Sequence, residues 1–257
     1  MEKFEVTSVN RDGRGKREVW VTQEVPLTLE VNGKEMATLL CSPSDLKDLA
    51  IGFLYTSGVI ADISVVESLV IDEERWKVSV GVKAEAIPDE FVFKRVYTSG
   101  CGKGIIFHNP LDLIQRGRIE SDFAVDSGAI MELMKTFMNS SADHRATRGV
   151  HSAALAAGGS MLIFRDDLGR HNAVDKIIGE ALAKGMSFDD KWVLSSGRIS
   201  SEVISKVLRC RIPLVVAFAA PSDQAVKMAR ATGLGLVCLA KGGGGGINIF
   251  SGEERVR

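Results

Sequence analysis

Apolar and polar residues alternate along two stretches in the first half of the chain, residues 25–40 and Trp76 to Val82. A period of two is typical of strands that bury one face. Asn32-Gly33 divides the first stretch and tolerates positive φ, so a hairpin is predicted there. Further strands are predicted within residues 65–96.

One helix interrupts these strands. Its apolar face is predicted from helical spacing and consists of Leu46, Leu49, Ala50, Phe53 and Leu54. Ser44 or Asp45 is expected to cap its start, and Gly58 to end it. Short strands with a single helix predict an α+β domain. We assign residues 1–124 to this N-terminal domain, which ends in a loop around Cys101 and a linker.

The second half of the chain alternates between strand and helix patterns. The predicted strands are residues 150–157, 160–164, 192–195, 212–218, 236–240 and 247–250. The second of these strands is expected to be buried. A helix capped by Asp126 precedes them, followed by a polar connection over residues 139–148. Alternation with short joints predicts a mostly parallel sheet with helices on both faces. We therefore predict an α/β fold class, with a three-layer α/β/α domain over residues 125–257.

Three joints of this second domain are polar or flexible. Asp166 to Asn172 contain two carboxylates, a glycine, an arginine, a histidine and an asparagine, and the other joints are Ser196-Gly197-Arg198 and Lys241 to Gly246. Each follows a predicted strand, and ligands of such sheets bind where strands end. Free N–H groups at helix starts and in glycine loops bind anions. We predict one anion site here, with Arg170 and Arg198 on the same face. The alternative is that these residues only cap helices and form solvated turns.

Composition narrows the class of protein. The chain has 257 residues, of which 45% are hydrophobic and 25% charged, with a formal net charge of −1. With this net charge, the chain has no extended positive potential that would attract a nucleic acid. No apolar run approaches the roughly 18 residues of a membrane helix, so no membrane association is expected. The N-terminal residues lack the apolar core of a signal peptide, which predicts a cytoplasmic location and reduced cysteines.

One of the four cysteines has a sequence environment that favours its reaction as a nucleophile. Cys101 lies within Thr98 to Gly104, among three glycines and beside Lys103. A nearby cation favours the thiolate, which is the nucleophilic form. The alternative is a chance surface thiol. The other three cysteines belong to apolar segments, where cysteine behaves as a small hydrophobe: Cys41, Cys210 and Cys238.

Three motifs together resemble a known family. Asp167 to Lys176 read D-L-G-R-H-N-A-V-D-K, Gly149 to Ala153 read G-V-H-S-A, and Ser196 to Glu202 read S-G-R-I-S-S-E. The first half adds Glu24-Val25-Pro26-Leu27 and Gly52-Phe53-Leu54. The chain is similar in these segments, and along nearly its whole length, to the formate dehydrogenase accessory sulfurtransferase family, FdhD.

This resemblance implies a cytidine-deaminase-like C-terminal domain and a role in sulfur transfer. A Cys101 persulfide would carry sulfur from a cysteine desulfurase to the molybdenum bis(guanine dinucleotide) cofactor that the formate dehydrogenase apoenzyme needs. The cofactor would be bound as a substrate, with no permanently bound metal. The residues that would hold this guanine-nucleotide cofactor are Leu239, Ala240, Lys241, Gly242, Gly243 and Gly244, together with Arg170, His171 and Arg198.

The sequence also departs from the family pattern. Gly104 replaces the second cysteine of the family motif. Lys241 replaces an arginine, and a lysine cannot form the paired hydrogen bonds that a guanidinium forms with a phosphate. The alternative function is therefore a non-catalytic carrier that brings the cofactor to the apoenzyme. A zinc deaminase is excluded because the chain has neither the His-x-Glu nor the Pro-Cys-x-x-Cys motif. The desulfurase, the client and the oligomeric state stay open, including a homodimer.

Overall fold

A computed structural model describes residues 1–11, 13–83, 118–240 and 246–257. Over these ranges the chain forms three β-sheets and six α-helices. None of these helices has the length and hydropathy of a membrane span. The mixed α/β class predicted from the sequence is confirmed.

The first sheet is a two-stranded antiparallel ribbon of β1 (Glu2–Asn10) and β2 (Gly13–Val21). The second sheet has the strand order β4-β3-β6-β5. Its strands are β3 (Val25–Val31), β4 (Lys34–Cys41), β5 (Val66–Asp72) and β6 (Lys77–Val82). Helix α1 (Leu46–Thr56) packs on this sheet and shares its core.

The hairpin predicted over residues 25–40 is confirmed as β3 and β4. Asn32 and Gly33 form its turn with φ of 48° and 79°. The predicted side-chain cap of α1 is wrong. Asp45 has φ 54° and makes no cap hydrogen bond, because its carboxylate pairs with Arg165 of a later strand at 3.3 Å. Ser44 does not cap α1 either, and its Oγ accepts from the Lys176 amine at 3.4 Å.

The third sheet has six strands in the order β12-β11-β10-β9-β7-β8. They are β7 (His151–Ala157), β8 (Ser160–Asp167), β9 (Lys191–Ser195), β10 (Leu214–Ala217), β11 (Gly235–Cys238) and β12 (Asn248–Ser251). The helices of this half are α2 (Ser127–Ser140), α3 (Ala142–Thr147), α4 (Arg170–Ala183), α5 (Ser201–Arg209) and α6 (Asp223–Thr232).

The third sheet is the middle of three layers. Along β7, Ala153 and Leu155 belong to the core shared with α4, α5 and α6, whereas Ala154 and Ala156 belong to the core shared with α2. This alternation is the period of two expected for a strand buried on both faces. The three-layer α/β/α arrangement therefore agrees with the prediction from the sequence.

Strand directions correct one part of that prediction. The β9–β10 and β10–β11 pairs are parallel, but β7–β8, β7–β9 and β11–β12 are antiparallel. The sheet is therefore mixed and not mostly parallel. The physical reason is the tight Gly158-Gly159 turn, which joins β7 to β8 as a hairpin and needs no crossover helix.

One local prediction in this half is also wrong. The strand expected to be buried, residues 160–164, is β8 at the edge of the sheet, and its Leu162 is 42% exposed. The polar connection over residues 139–148 contains the short helix α3. Ser141 caps that helix by accepting a hydrogen bond from the His144 N–H at 2.8 Å.

Helix α1 of the first half crosses α4 of the second half at two glycines. A Cβ on Gly52 would lie 1.9 Å from the Asp175 carbonyl oxygen, and a Cβ on Gly179 would lie 1.9 Å from the Asp48 carbonyl oxygen. The two backbones are thus in direct contact. The domain boundary at residue 124 stays a prediction, although Ile119 packs into the core beneath the third sheet.

A buried carboxylate, Asp175, reinforces this crossing. Asp175 of α4 forms an ion pair with Lys206 of α5 at 2.7 Å and accepts a hydrogen bond from the Thr56 hydroxyl of α1 at 2.7 Å. Lys206 also donates to that hydroxyl at 3.1 Å. Leaving a buried charge without its partner costs about 3–5 kcal/mol, so these contacts specify how the two halves fit together.

Gly52→Ala is expected to destabilise the protein by about 3 kcal/mol, because the added methyl group meets backbone that no rotamer change can move. Helix propensity alone would favour alanine by about 1 kcal/mol, so the sign of the change separates the two effects. Urea unfolding measures it. Gly159→Ala is the control, since its Cβ meets nothing within 4 Å. Equal stability of the two variants would contradict the close crossing.

Candidate functional site

Four strands of the third sheet end at one edge. Strands β8, β9, β10 and β11 point in the same direction, because β7 runs antiparallel to both β8 and β9. His151 begins β7 opposite Asp167, the last residue of β8, so this histidine lies at the same edge. We refer to it as the carboxyl edge.

Two of the three joints predicted to converge do meet there. A Cβ on Gly197 would lie 2.9 Å from both Cβ and Cδ of Arg170 and 3.3 Å from His151 Nδ1. Only a glycine lets this loop approach both side chains so closely. We call His151, Arg170, His171, Ser196 and Gly197 the edge cluster.

Asp167 shapes the β8–α4 joint. Its Oδ1 accepts hydrogen bonds from the Gly169 N–H and the Asn172 amide, both at 2.8 Å. Its Oδ2 accepts from the Ser42 N–H at 3.1 Å and pairs with the Lys176 amine at 2.8 Å. Asp167 and Lys176 are fully buried. Asp167 and Asn172 therefore hold this joint together through contacts within the protein. They do so neither by capping α4 nor as part of a solvated turn, which the alternative interpretation of this joint had proposed.

The other carboxylate of the joint, Asp166, also lies within β8 and not in a turn. It accepts hydrogen bonds from the Ser141 hydroxyl at 2.7 Å and the Ser152 hydroxyl at 2.6 Å. The Ser152 N–H in turn donates to the Ser196 hydroxyl at 2.9 Å. This chain of bonds ties the start of α3 to the edge cluster, and the sequence motifs alone did not indicate it.

Helix α4 begins at Arg170 without a side-chain cap. Its first N–H groups have no partners within the helix, and the positive end of the helix dipole favours a negative ligand. Arg170 places a guanidinium at this helix start, beside Gly197. The combination suits an anionic group such as a phosphate.

Both histidines of the cluster are uncharged at neutral pH. Burial lowers the pKa of His171 to about 3, with a further contribution from Arg170. Burial and Arg170 also lower the pKa of His151. His171 Nε2 shares a hydrogen bond with the Ser200 hydroxyl at 3.2 Å. Glu202 Oε2 lies 3.3 Å from the same nitrogen, but with a neutral ring this contact is not an ion pair.

The remaining predicted binding residues are distributed as follows. Arg198 is exposed next to Gly197, and Leu239 is 36% exposed beyond the end of β11 with φ 56°. Ala240 is buried and donates its N–H to the Ala217 carbonyl at 3.1 Å. The other predicted site residues lie outside the described residues: Cys101, Lys241, Gly242, Gly243 and Gly244.

His151 is the member of the edge cluster that the sequence does not reveal. A lone histidine at the start of a strand is more often a structural group than a catalytic base, and the sequence shows nothing more of His151. Its place at the carboxyl edge depends on β7 running antiparallel to its neighbours, which its local sequence does not specify.

Over the described ranges, no group of three or more histidine, cysteine, aspartate or glutamate side chains could hold a metal ion.

Comparison with known proteins identifies the family. A model of the FdhD/NarQ family matches residues 22–257. The chain belongs to this family. Two relatives are named sulfur carrier protein FdhD. The Bacillus subtilis protein is 37% identical over 235 residues, which cover 91% of this chain and 89% of the relative. The Geobacillus kaustophilus protein is 36% identical over 248 residues, which cover 96% and 94%.

A solved structure supports the fold of this family member. The crystal structure of a protein described as a formate dehydrogenase accessory protein from Desulfotalea psychrophila superposes with a TM-score of 0.81. The match covers 100% of this chain and 99% of the other at 23% sequence identity. It supports the overall architecture, while the likeness to cytidine deaminases stays a prediction.

The low pKa of His171 predicts a pH dependence of stability. The pKa in the folded state, about 3, lies below the ordinary 6.5, so the folded state binds fewer protons between these values. Stability is therefore fully present above pH 6.5 and is lost as the pH falls towards 3. Between about pH 7.5 and about pH 5.5, this histidine should account for a loss of about 1 kcal/mol.

Urea unfolding of wild type and His171→Gln at the two pH values measures this contribution. The variant should lose less stability on acidification than the wild type, because glutamine does not titrate. His151 keeps its own share in both proteins, since burial also lowers its pKa. An identical pH dependence in the two proteins would show that His171 is not held neutral.

Proposed function

We propose that this protein is a sulfur carrier in the maturation of formate dehydrogenase. It takes sulfur from a cysteine desulfurase as a persulfide on Cys101 and passes it to the molybdenum bis(guanine dinucleotide) cofactor. Membership of the FdhD/NarQ family and the relatives named sulfur carrier protein FdhD support this role. In this proposal the protein is a sulfurtransferase of the persulfide-carrier type and works in the cytoplasm.

The proposal rests mainly on the burial of three of the four cysteines. The chain has four, and three of them are buried in the described residues: Cys41, Cys210 and Cys238. Burial raises the pKa of Cys41 and of Cys238 to about 12 and also raises that of Cys210. A buried, protonated thiol neither meets a donor protein nor attacks its persulfide. Cys101, in its glycine-rich segment, is the thiol left for the carrier role.

Loading requires no added oxidant. The Cys101 thiolate attacks the terminal sulfur of the desulfurase persulfide, a new S–S bond forms, and the desulfurase cysteine leaves as a thiolate. Transfer of the outer persulfide sulfur from Cys101 to a reduced molybdenum centre also balances in electrons, because the metal supplies the two electrons that convert sulfane sulfur to sulfide. Cys101 returns to the thiol state. Gly104 leaves no neighbouring thiol to resolve the persulfide as a disulfide.

The edge cluster supports the other half of the proposal, binding of the cofactor. A guanidinium such as Arg170 binds phosphate through paired hydrogen bonds, and the uncapped start of α4 adds N–H groups. Neutral His151 and His171 can donate or accept hydrogen bonds without adding charge. Arg198, together with Leu239 to Gly244, would hold the guanine nucleotide portions. Because the Ala240 side chain is buried, this residue would contribute to the site through its backbone and not through its side chain.

Sulfur loading of Cys101 tests the function directly. After incubation with a cysteine desulfurase and cysteine, peptide mass spectrometry should find one added sulfur atom on the Cys101 peptide. Cys101→Ala should lose the added sulfur and reduce activation of formate dehydrogenase to background, since no other thiol replaces it. Cys238→Ala, which removes a buried thiol, is the matched control and should load normally.

The alternative function predicts a different result. Full activation of formate dehydrogenase by Cys101→Ala, or sulfur found on Cys41, Cys210 or Cys238, would contradict the persulfide carrier. A non-catalytic carrier that delivers the cofactor to the apoenzyme would then be the better description.

A further inference from the structure

The ribbon of β1 and β2 extends from the rest of the structure as an arm. Its strands pair along their whole length, from Glu2 opposite Val21 to Asn10 opposite Gly13. Nine residues per strand give a length of about 30 Å. Every residue of both strands is exposed except Val6, Ser8 and Val19, which are half-buried. An isolated two-stranded ribbon is marginally stable in water, so a surface that covers it would stabilise it.

The two faces of the arm differ. Residues opposite each other in a ribbon share a face, so Phe4, Val6, Val19 and Val21 lie together on one side, which Glu2 and Arg17 share. Phe4 is 47% exposed and Val21 is 42% exposed. We call this side the apolar face after its four apolar side chains.

The opposite face carries two ion pairs within the arm, together with two exposed apolar side chains, Val9 at 72% and Trp20 at 44%. Lys3 pairs with Glu18 at 3.0 Å, and Lys16 pairs with Glu5 at 2.6 Å. The Lys3 amine also lies 5.2 Å from the centre of the Trp20 ring. These two local ion pairs balance four of the charges of the arm.

The distal half of the arm, from the Val6–Arg17 pair to the turn, has three arginines and one aspartate, Asp12, and is therefore basic on balance. Arg11, Arg14 and Arg17 are all exposed, and none forms an ion pair with any part of the chain that the structure describes. Arg14, Lys16 and Arg17 line a shallow depression there. An acidic surface would complement these charges and increase the rate of association.

The base of the arm adjoins the candidate site. The Thr22 hydroxyl, which directly follows β2, donates to the Thr147 hydroxyl at the end of α3 at 2.9 Å. A Cβ on Gly149 would lie 2.4 Å from Thr22 Oγ1. The chain then runs through Gly149 and Val150 into His151 of the edge cluster. A protein that receives a cofactor from the carboxyl edge must approach this surface.

We infer that the arm docks the recipient of the cofactor, an apoenzyme with an acidic surface that includes an apolar patch. This inference rests on the proposed function, in which that recipient is formate dehydrogenase. The apolar face packs against the patch, and the distal arginines pair with its acidic surround. A nucleic acid fits less well, because Phe4 and the valines provide no phosphate contacts and the chain has a net charge of −1.

Reversal of the three distal charges tests the inference. Binding of cofactor-free formate dehydrogenase to the full-length protein is measured by calorimetry for wild type and for a variant carrying Arg11→Glu, Arg14→Glu and Arg17→Glu. We expect binding about 30-fold weaker in the variant, with a smaller dependence on salt. Phe4→Ser should also weaken binding, without changing the salt dependence, because it alters only the apolar face.

A charge-matched control carries Lys34→Glu in β4, Lys47→Glu in α1 and Arg75→Glu in the turn between β5 and β6, all at exposed positions. It should bind like the wild type. Loading of Cys101 with sulfur should be unchanged in the arm variant, which separates a failure of this inference from a failure of the proposed function. Normal apoenzyme binding by the arm variant would overturn the inference. So would arm-dependent binding of a single-stranded RNA with unchanged apoenzyme binding.

Discussion

The contact between α1 and α4 determines how the chain builds a site. Gly52 and Gly179 let the two helix backbones touch, and the buried pair Asp175–Lys206 with Thr56 specifies their alignment. The same α4 carries Arg170 and His171 at its first turn. Ser42, at the end of the N-terminal sheet, donates to Asp167 at the end of β8. The position of the first half thereby fixes the helix start on which the edge cluster depends.

The edge cluster combines one cation with neutral polar groups. Arg170 supplies charge, while His151 and His171 stay unprotonated because burial and the nearby guanidinium disfavour a second positive charge. Gly197 keeps the space beside them free of a side chain. Such a site carries the single permanent positive charge of Arg170 and surrounds it with uncharged hydrogen-bonding groups, an arrangement that suits a phosphate.

Local sequence patterns predicted more of the fold than of the site. The β3–β4 hairpin, the Asp126 cap of α2 and the three layers follow from periodicity and turn residues, and they agree with the structure. The direction of β7 depends on long-range pairing, so neither the mixed sheet nor the position of His151 was predictable locally. Asp166 and Asp167 resembled ligand groups in the sequence, but in the structure their carboxylates bond to protein groups, and Asp167 is also fully buried.

The central claim is that sulfur moves from Cys101 to the cofactor. A single-turnover chase tests it most directly: the protein is loaded with radioactive sulfur, freed of desulfurase and donor, and mixed with the molybdenum cofactor and cofactor-free formate dehydrogenase. The account predicts that radioactivity moves to the cofactor at the rate at which formate oxidation appears. Activation of the enzyme while the label stays on Cys101 would contradict it.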